Sequence, residues 1–231
     1  MVEALGAPDP ETRSRAADVL AATYWQPVYT YLRLRWRAPP EEAEDLTQEF
    51  FDRALERGFF VRFDPGRARF RTFVRVCVDR LVANERQAAR RLKRGGGMRT
   101  IPLDLAVVER ELATRAAIEP AEVDEFFRRE VVRAIFTHAI ETLRAETAAG
   151  GKQVYFTVFE RYDLEGPDRP DRPSYATLAL ELGIPVTQVT NHLAAMRRRF
   201  RALVLERLRS LAGSDTEYRA EAREILGIDP P

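Results

Sequence analysis

Residues 174–201 read SYATLALELGIPVTQVTNHLAAMRRRFR, and this stretch decides how the C-terminal half of the chain folds. Ser174 is a strong N-cap for a short helix over Tyr175–Leu182, because its hydroxyl can accept a hydrogen bond from an orphan amide of the first turn. Gly183 suits the left-handed position that closes a helix, and Pro185 suits the start of the next one, where its missing N–H costs nothing. The spacing of Val189, Leu193, Met196, Phe200 and Leu203 predicts one apolar face on that second helix. Thr187, Gln188, Thr190, Asn191 and His192 are left on its other faces, in the first two turns. Short polar side chains at that end of the second helix of a helix-turn-helix are what readout of a DNA major groove requires. The run Arg197-Arg198-Arg199-Phe200-Arg201 that follows is placed to hold phosphates. Helical hairpins with such turns also occur without DNA, and the flanking arginines weigh for binding.

A second basic stretch lies far upstream. Residues 69–94, RFRTFVRVCVDRLVANERQAARRLKR, interleave Phe70, Phe73, Val74, Val76, Cys77, Leu81 and Val82 with Arg69, Arg71, Arg75, Arg80, Arg86, Arg90 and Arg91. Some of the aromatic rings must be core, and Phe73 is the one first expected there. Phe63, Phe70 and Phe73 beside so many guanidiniums otherwise make a platform for unpaired or flipped bases. Asn84 offers a base-edge or sugar contact.

The global charge hides this. The 231 residues carry 37 Lys and Arg against 36 Asp and Glu. Residues 41–56 hold Glu41, Glu42, Glu44, Asp45, Glu49, Asp52 and Glu56 against Arg53 alone, whereas residues 62–99 are strongly basic. Such asymmetry points to at least two kinds of partner, one of them polyanionic. Cys77 has no second cysteine to pair with and reads as a small core residue. No apolar run is long enough for a membrane span, so the reading is a soluble, cytoplasmic chain without membrane insertion.

The periodicities predict an all-α chain. Helices are expected over Glu11–Ala22, Tyr24–Trp36, Glu41–Arg57 and from about Arg69 to Lys93, where Gly95-Gly96-Gly97 makes the clearest break. Asp64-Pro65-Gly66 marks a turn. These boundaries give a first domain over 1–94 and a linker over 95–121, without a sustained period and carrying Pro102 and Pro120. A second domain over 122–211 opens on the stripe Phe126, Phe127, Val131, Ile135 and Ile140. Gly150-Gly151 interrupts it, Gln153–Tyr162 resumes it, and GPDRPDRP at 166–173 is a loop. The tail, 212–231, has a helical stripe at Tyr218, Ala222, Ile225 and Leu226 and is expected to bind a partner or cap the second domain.

DLTQEFFDRAL at 45–55, followed by FRTFVRVCVDRLVANERQAARRLKRGGG at 70–97, resembles the second domain of extracytoplasmic-function (ECF) sigma factors, the smallest class of the sigma-seventy family. The motif at 174–201 resembles their fourth domain, and the likeness extends over most of residues 20–210. It implies two small helical domains joined by a flexible linker, in a subunit that directs core RNA polymerase to promoters. Asp45, Gln48, Glu49 and Asp52 would then lie on the helix that grips the clamp helices of the largest subunit. Phe63, Arg69, Arg71, Phe73, Arg75, Arg80, Asn84 and Arg91 would capture and open the minus-ten element. Thr187, Gln188, Thr190, Asn191, His192, Arg197 and Arg198 would engage the minus-thirty-five element, with the polymerase flap as the neighbouring contact. The linker acids Asp104, Glu109, Glu111 and Glu119 would run through the polymerase, and an anti-sigma or other inhibitory protein would hold the factor silent. Phe73-Val74 and Arg80 replace the aromatic-leucine pair and the asparagine usual in the melting helix. His192 and Ala195 stand where the recognition helix often has arginine, so no promoter sequence carries over.

Two other readings use the same residues: a stand-alone helix-turn-helix regulator, and a sigma-like interaction module governed by a partner protein. The acidic stretch 41–56 speaks against the first, which has no use for it. An enzyme is not expected, nor a cofactor or metal: no Lys-Ser/Thr follows the glycine run, and His138 and His192 sit on different elements.

Overall fold

The computed structural model describes residues 2–5, 7, 9–56, 59–89, 105–112, 122–165 and 172–230. Among them every regular element is helical: α1 (Val2–Leu5), α2 (Pro10–Arg35), α3 (Pro40–Glu56), α4 (Phe70–Ala89), α5 (Leu105–Leu112), α6 (Val123–Ala149), α7 (Gln153–Phe159), α8 (Tyr175–Leu182), α9 (Val186–Leu211) and α10 (Asp215–Leu226). A 3-10 turn at Phe59–Arg62 and a π-helical turn at Glu160–Leu164 complete the set. No helix among the described residues is long and apolar enough to cross a membrane. Two compact units result, one gathering Met1–Ala134 with Arg209–Asp229, the other Ile135–Leu208.

The first unit is organised on α2, where the two helices expected from the sequence are one. Asp9 caps it, its carboxylate accepting from the Thr12 amide at 2.8 Å, and Pro10 occupies the first turn. Pro27 lies inside the helix without ending it. The surrounding turns, Tyr24, Val28, Tyr29, Tyr31 and Leu32, are almost wholly buried, so tertiary packing holds the helix where propensity alone would break it. An unbroken series of ring contacts ties the unit together. It runs from Trp25 to Phe51 (5.5 Å between centroids), Phe50, Phe60 and Phe70, then to Tyr24 (5.8 Å from Phe70), Phe127 and Tyr31. The series joins α3, the 3-10 turn, α4, α2 and the first turns of α6. Aromatic pairs of this kind add roughly 0.5–1.5 kcal/mol each beyond their buried area.

Asp79 of α4 is the polar counterpart of that series. Its Oδ1 accepts from the Tyr31 hydroxyl and from Trp36 Nε1, both at 2.9 Å, and its Oδ2 accepts from Arg75 at 2.7 Å. Arg75 also donates to Asp124 of α6 at 2.7 Å. One carboxylate thus registers α4 against α2 and, through Arg75, against α6.

Two further features depart from the sequence reading. Residues 105–112, placed in an aperiodic linker, form α5, with Val108 and Leu112 buried. Glu109 is not a solvated linker acid: Arg33 donates to it at 2.7 Å from both Nε and Nη2, and Tyr29 at 2.6 Å. These donors hold its carboxyl below the ordinary glutamate value, the Arg33 hydrogen bond first among the causes. The remainder of the expected linker and most of the loop 166–173 lie outside the described residues. The helix expected in the tail is α10, and it belongs to the first unit, against the start of α4, rather than to the second.

The second unit holds the helix-turn-helix. Val158 of α7, Leu178 and Ala179 of α8, and Val189 and Leu193 of α9 form its core, with Tyr162, Tyr175, Leu182 and Ile184 packed on it. Ser174 caps α8 by accepting from the Thr177 amide at 3.0 Å. Gly183 closes that helix in the left-handed conformation, φ 64°, which a side chain would strain.

Replacing Asp79 by Ala is expected to leave Tyr31, Trp36 and Arg75 with unmet donors and to destabilise the protein by about 2–4 kcal/mol. Chemical denaturation read by tryptophan fluorescence measures this. A loss within ~0.5 kcal/mol would mean that the network contributes nothing to the register of α4.

Candidate nucleic-acid interface

Three surfaces carry the candidate residues. On α3, Asp45 and Asp52 are exposed, while Gln48 and Glu49 are half-buried. The Gln48 amide donates to Asp52 at 3.1 Å, and its carbonyl oxygen is enclosed without a hydrogen-bond partner. Glu49 pairs with Arg53, which donates to Glu85 of α4 at 2.7 Å. Burial, with Glu85 and Asp45 nearby, pushes the Glu49 carboxyl up against the pull of Arg53. Glu49 therefore serves the α3–α4 contact, and Asp45 and Asp52 are the acids this face presents to solvent.

The second surface is a cavity of about 520 Å³ between α4 and the loop before it. Phe63, Phe73, Val76, Cys77 and Leu81 form apolar walls, and Arg62, Arg67, Arg80 and Asn84 bring polar groups to the lining. Phe63 stands with its ring centroid 5.2 Å from Phe70 and 5.4 Å from Phe73. Of the two helix rings, Phe70 is the core one, although Phe73 is the ring first expected there. Phe70 is 1% exposed and belongs to the core, whereas Phe73 is only half-buried and faces the cavity. Helical geometry explains this: Phe70, Val74, Val78 and Leu81 share the buried stripe of α4, and Phe73 and Cys77 lie beside it. Burial pushes the Cys77 thiol up, so it is a neutral wall group.

The arginines of α4 divide sharply. Arg80, with Asn84, is exposed at the cavity. Arg69 and Arg71 are engaged by Glu221 and Glu224 of α10, and Arg75 by Asp79 and Asp124. Those three side chains are not at the cavity. Arg91 lies outside the described residues. Arg62 and Arg67, which the sequence reading left out, take their places at the lining. The signal for them was their position flanking the Asp64-Pro65-Gly66 turn, where the Gly66 amide donates to Asp64 at 2.9 Å.

The third surface is the N-terminal part of α9. Thr187, Gln188, Thr190 and Asn191 are exposed there, as the helical period requires. The Thr190 hydroxyl donates back to the carbonyls of Val186 and Thr187, at 3.1 Å each, and is partly spent on the helix itself. His192 corrects the expectation. It is 7% exposed, and its ring stacks on Tyr155 with centroids 3.7 Å apart. It sits one residue before Leu193, on the edge of the stripe that faces α7, so it is a packing group and not a reader. Of the basic run, Arg197 is committed to Asp163 through two 2.7 Å hydrogen bonds, and Arg199 to Glu146 and Glu206. Arg198 and Arg201 are the exposed members available for phosphate.

Comparison with models of protein families, with curated proteins and with solved structures finds no match to this chain. The residues above are the whole basis for a functional reading.

Burial lowers the His192 pKa, and burial with the neighbouring Arg207 lowers that of His138. Both are in the second unit. A base whose folded pKa is depressed costs stability as pH falls from its unfolded pKa, about 6.5, toward the folded value. Acidification over that window should therefore destabilise the second unit, and the NMR titration of His192 should have its midpoint below 6.5. A midpoint at or above 6.5 would return the imidazole to solvent and to the reading surface.

Proposed function

We propose that this chain is a promoter-recognition subunit of the ECF sigma type, which binds core RNA polymerase in the cytoplasm and directs transcription initiation without chemistry of its own. The observation that carries the reading is the cavity lined by Phe63, Phe73, Arg62, Arg67, Arg80 and Asn84. It combines aromatic faces, guanidiniums and a base-edge donor and acceptor in a space of small-ligand size. An extruded base stacks on such rings for ~1–3 kcal/mol, which offsets the few kcal/mol that unpairing it costs.

The other surfaces fit the same task. Asp45 and Asp52 on α3 would meet the polymerase clamp helices, and Gln188 and Asn191 would read the upstream promoter element. Arg198 and Arg201 would hold its phosphates and contribute affinity that falls with salt. The flap of the polymerase and an inhibitory protein are the further partners this reading entails. The two-domain sigma arrangement with a flexible linker belongs to the proposal as well. A stand-alone regulator would need only the α9 surface, and the cavity would then have no role.

Three variants test the reading. Reversing Asp45 and Asp52 to Lys should reduce co-purification with core polymerase while changing stability by no more than ~0.5 kcal/mol. Asn191→Ala should cost ~1–3 kcal/mol of discrimination between specific and scrambled upstream elements in gel-shift titrations. Arg80→Ala should form closed complexes but leave promoter thymines unreactive to permanganate, a defect that a premelted bubble rescues. If the charge-reversed protein still binds core polymerase as the wild type does, the sigma reading loses its basis. Tight, specific binding of duplex promoter by the free chain would favour the stand-alone regulator.

A further inference from the structure

The arginines that open α4 are not free to meet DNA, because the tail of the same chain holds them. Arg69 Nη1 donates to Glu221 at 3.0 Å and also to Glu224. Arg71 donates to Glu221 and lies 3.6 Å from Glu224, and Arg128 of α6 lies 3.4 Å from Glu224. Three guanidiniums from two elements thus converge on two carboxylates of α10. The same helix makes one more contact with the start of α4: Glu217 accepts from the Phe70 amide at 2.5 Å, and its other oxygen accepts from the Gly213 amide, in the turn before α10, at 2.9 Å. Gly213 lies so close to Phe63 that a Cβ there would fall 2.2 Å from the ring.

We propose that Arg69, Arg71 and Arg128 form a site for nucleic-acid backbone phosphates, and that α10 occupies it as a displaceable acidic strap. The proposal rests on the sigma reading, since the site adjoins the helix that reading assigns to strand opening. Carboxylates and phosphates are alternative ligands for the same guanidinium geometry. The two carboxylates are tethered, so they compete at high effective concentration, and a strand must bring several phosphates and a stacked base to displace them. Displacement is all-or-none at Glu221. Its side chain is 11% exposed, and burial pushes its carboxyl up while Arg71 and Arg69 pull it down. Once a strand takes the arginines, an unpaired buried carboxylate cannot stay where it is, and α10 must leave.

The test uses the full chain and a fluorescein-labelled ten-nucleotide single-stranded DNA, followed by anisotropy across a salt series. Glu221→Gln with Glu224→Gln keeps side-chain size and removes the competing charge. It should tighten binding about tenfold at low salt and steepen the log–log salt slope by about 1.4, the value for two added phosphate contacts on a single strand. Adding Arg69→Ala and Arg71→Ala to that variant should abolish the gain. The wild-type chain supplies a readout independent of any folding defect: saturating oligonucleotide should speed trypsin cleavage after Arg219 and Arg223 of α10. If the glutamine variant binds as the wild type does and oligonucleotide protects α10 from trypsin, α10 is a fixed cap and the proposal is overturned. Weakened binding by Arg80→Ala in that case would leave the sigma reading standing. If no variant binds the oligonucleotide at low salt, the strap proposal is overturned, and co-purification with core polymerase decides the sigma reading separately.

Discussion

The amide of Phe70 finds its acceptor on a residue 147 positions away in the chain, and that hydrogen bond ties the tail to the start of α4. The start of α4 has no capping group of its own. Arg69 stands at the N-cap position, where its carbonyl accepts from the Phe73 amide at 3.1 Å, but an arginine side chain has no acceptor to offer. Glu217 supplies it. The same residue belongs to the Ser-x-x-Glu box that begins α10, in which Ser214 accepts from the Glu217 amide at 3.1 Å. One residue therefore serves the start of two helices, its carboxylate at α4 and its amide at α10. The first turn of α4 sets where Phe73 and Arg80 fall, and hence where the cavity opens.

Charge in this protein is organised by pairing. The strongly basic stretch 69–94 looks like a uniform polyanion-binding helix when read as composition. In the folded chain its arginines have separate tasks: Arg69 and Arg71 answer α10, Arg75 answers α4 and α6, and Arg80 faces the cavity. The acidic block 41–56 divides in the same way, with Glu49 drawn inward by Arg53 and with Asp45 and Asp52 left outside. The reason is energetic. A partly buried guanidinium needs a carboxylate more than an exposed one does, so residues near the core are claimed by partners within the fold.

The helix-turn-helix shows the opposite case, in which almost every decision is local. Ser174, Gly183 and Pro185 each act within a few residues of their own position, and the helix they delimit runs from Tyr175 to Leu182 as the sequence alone predicts. The period of Val189, Leu193 and Met196 turns Thr187, Gln188 and Asn191 outward without reference to any other element. His192 is the exception, since its burial depends on Tyr155, a residue of α7. A period read on one helix marks the centre of its buried stripe but not how far a neighbouring helix extends the cover.

Sequence by itself determined the helical class, the caps and turns of the helix-turn-helix, the helices that became α3 and α4, and the presence of a helix in the tail. These follow from interactions within about four residues, which periodicity and capping chemistry report directly. Tertiary structure decided what long-range contacts alone can decide. It joined α2 across Thr23, made α5 from a segment short enough to be overlooked, put Phe70 rather than Phe73 in the core, and buried His192. Above all, it brought Glu221 and Glu224 onto Arg69 and Arg71, and Glu217 onto the Phe70 amide. A tail stripe of Tyr218 and Ala222 says that some surface will cover it, but not which. That choice lay with an uncapped helix and a cluster of guanidiniums far away in the chain, to which a helix with three suitably spaced glutamates is complementary.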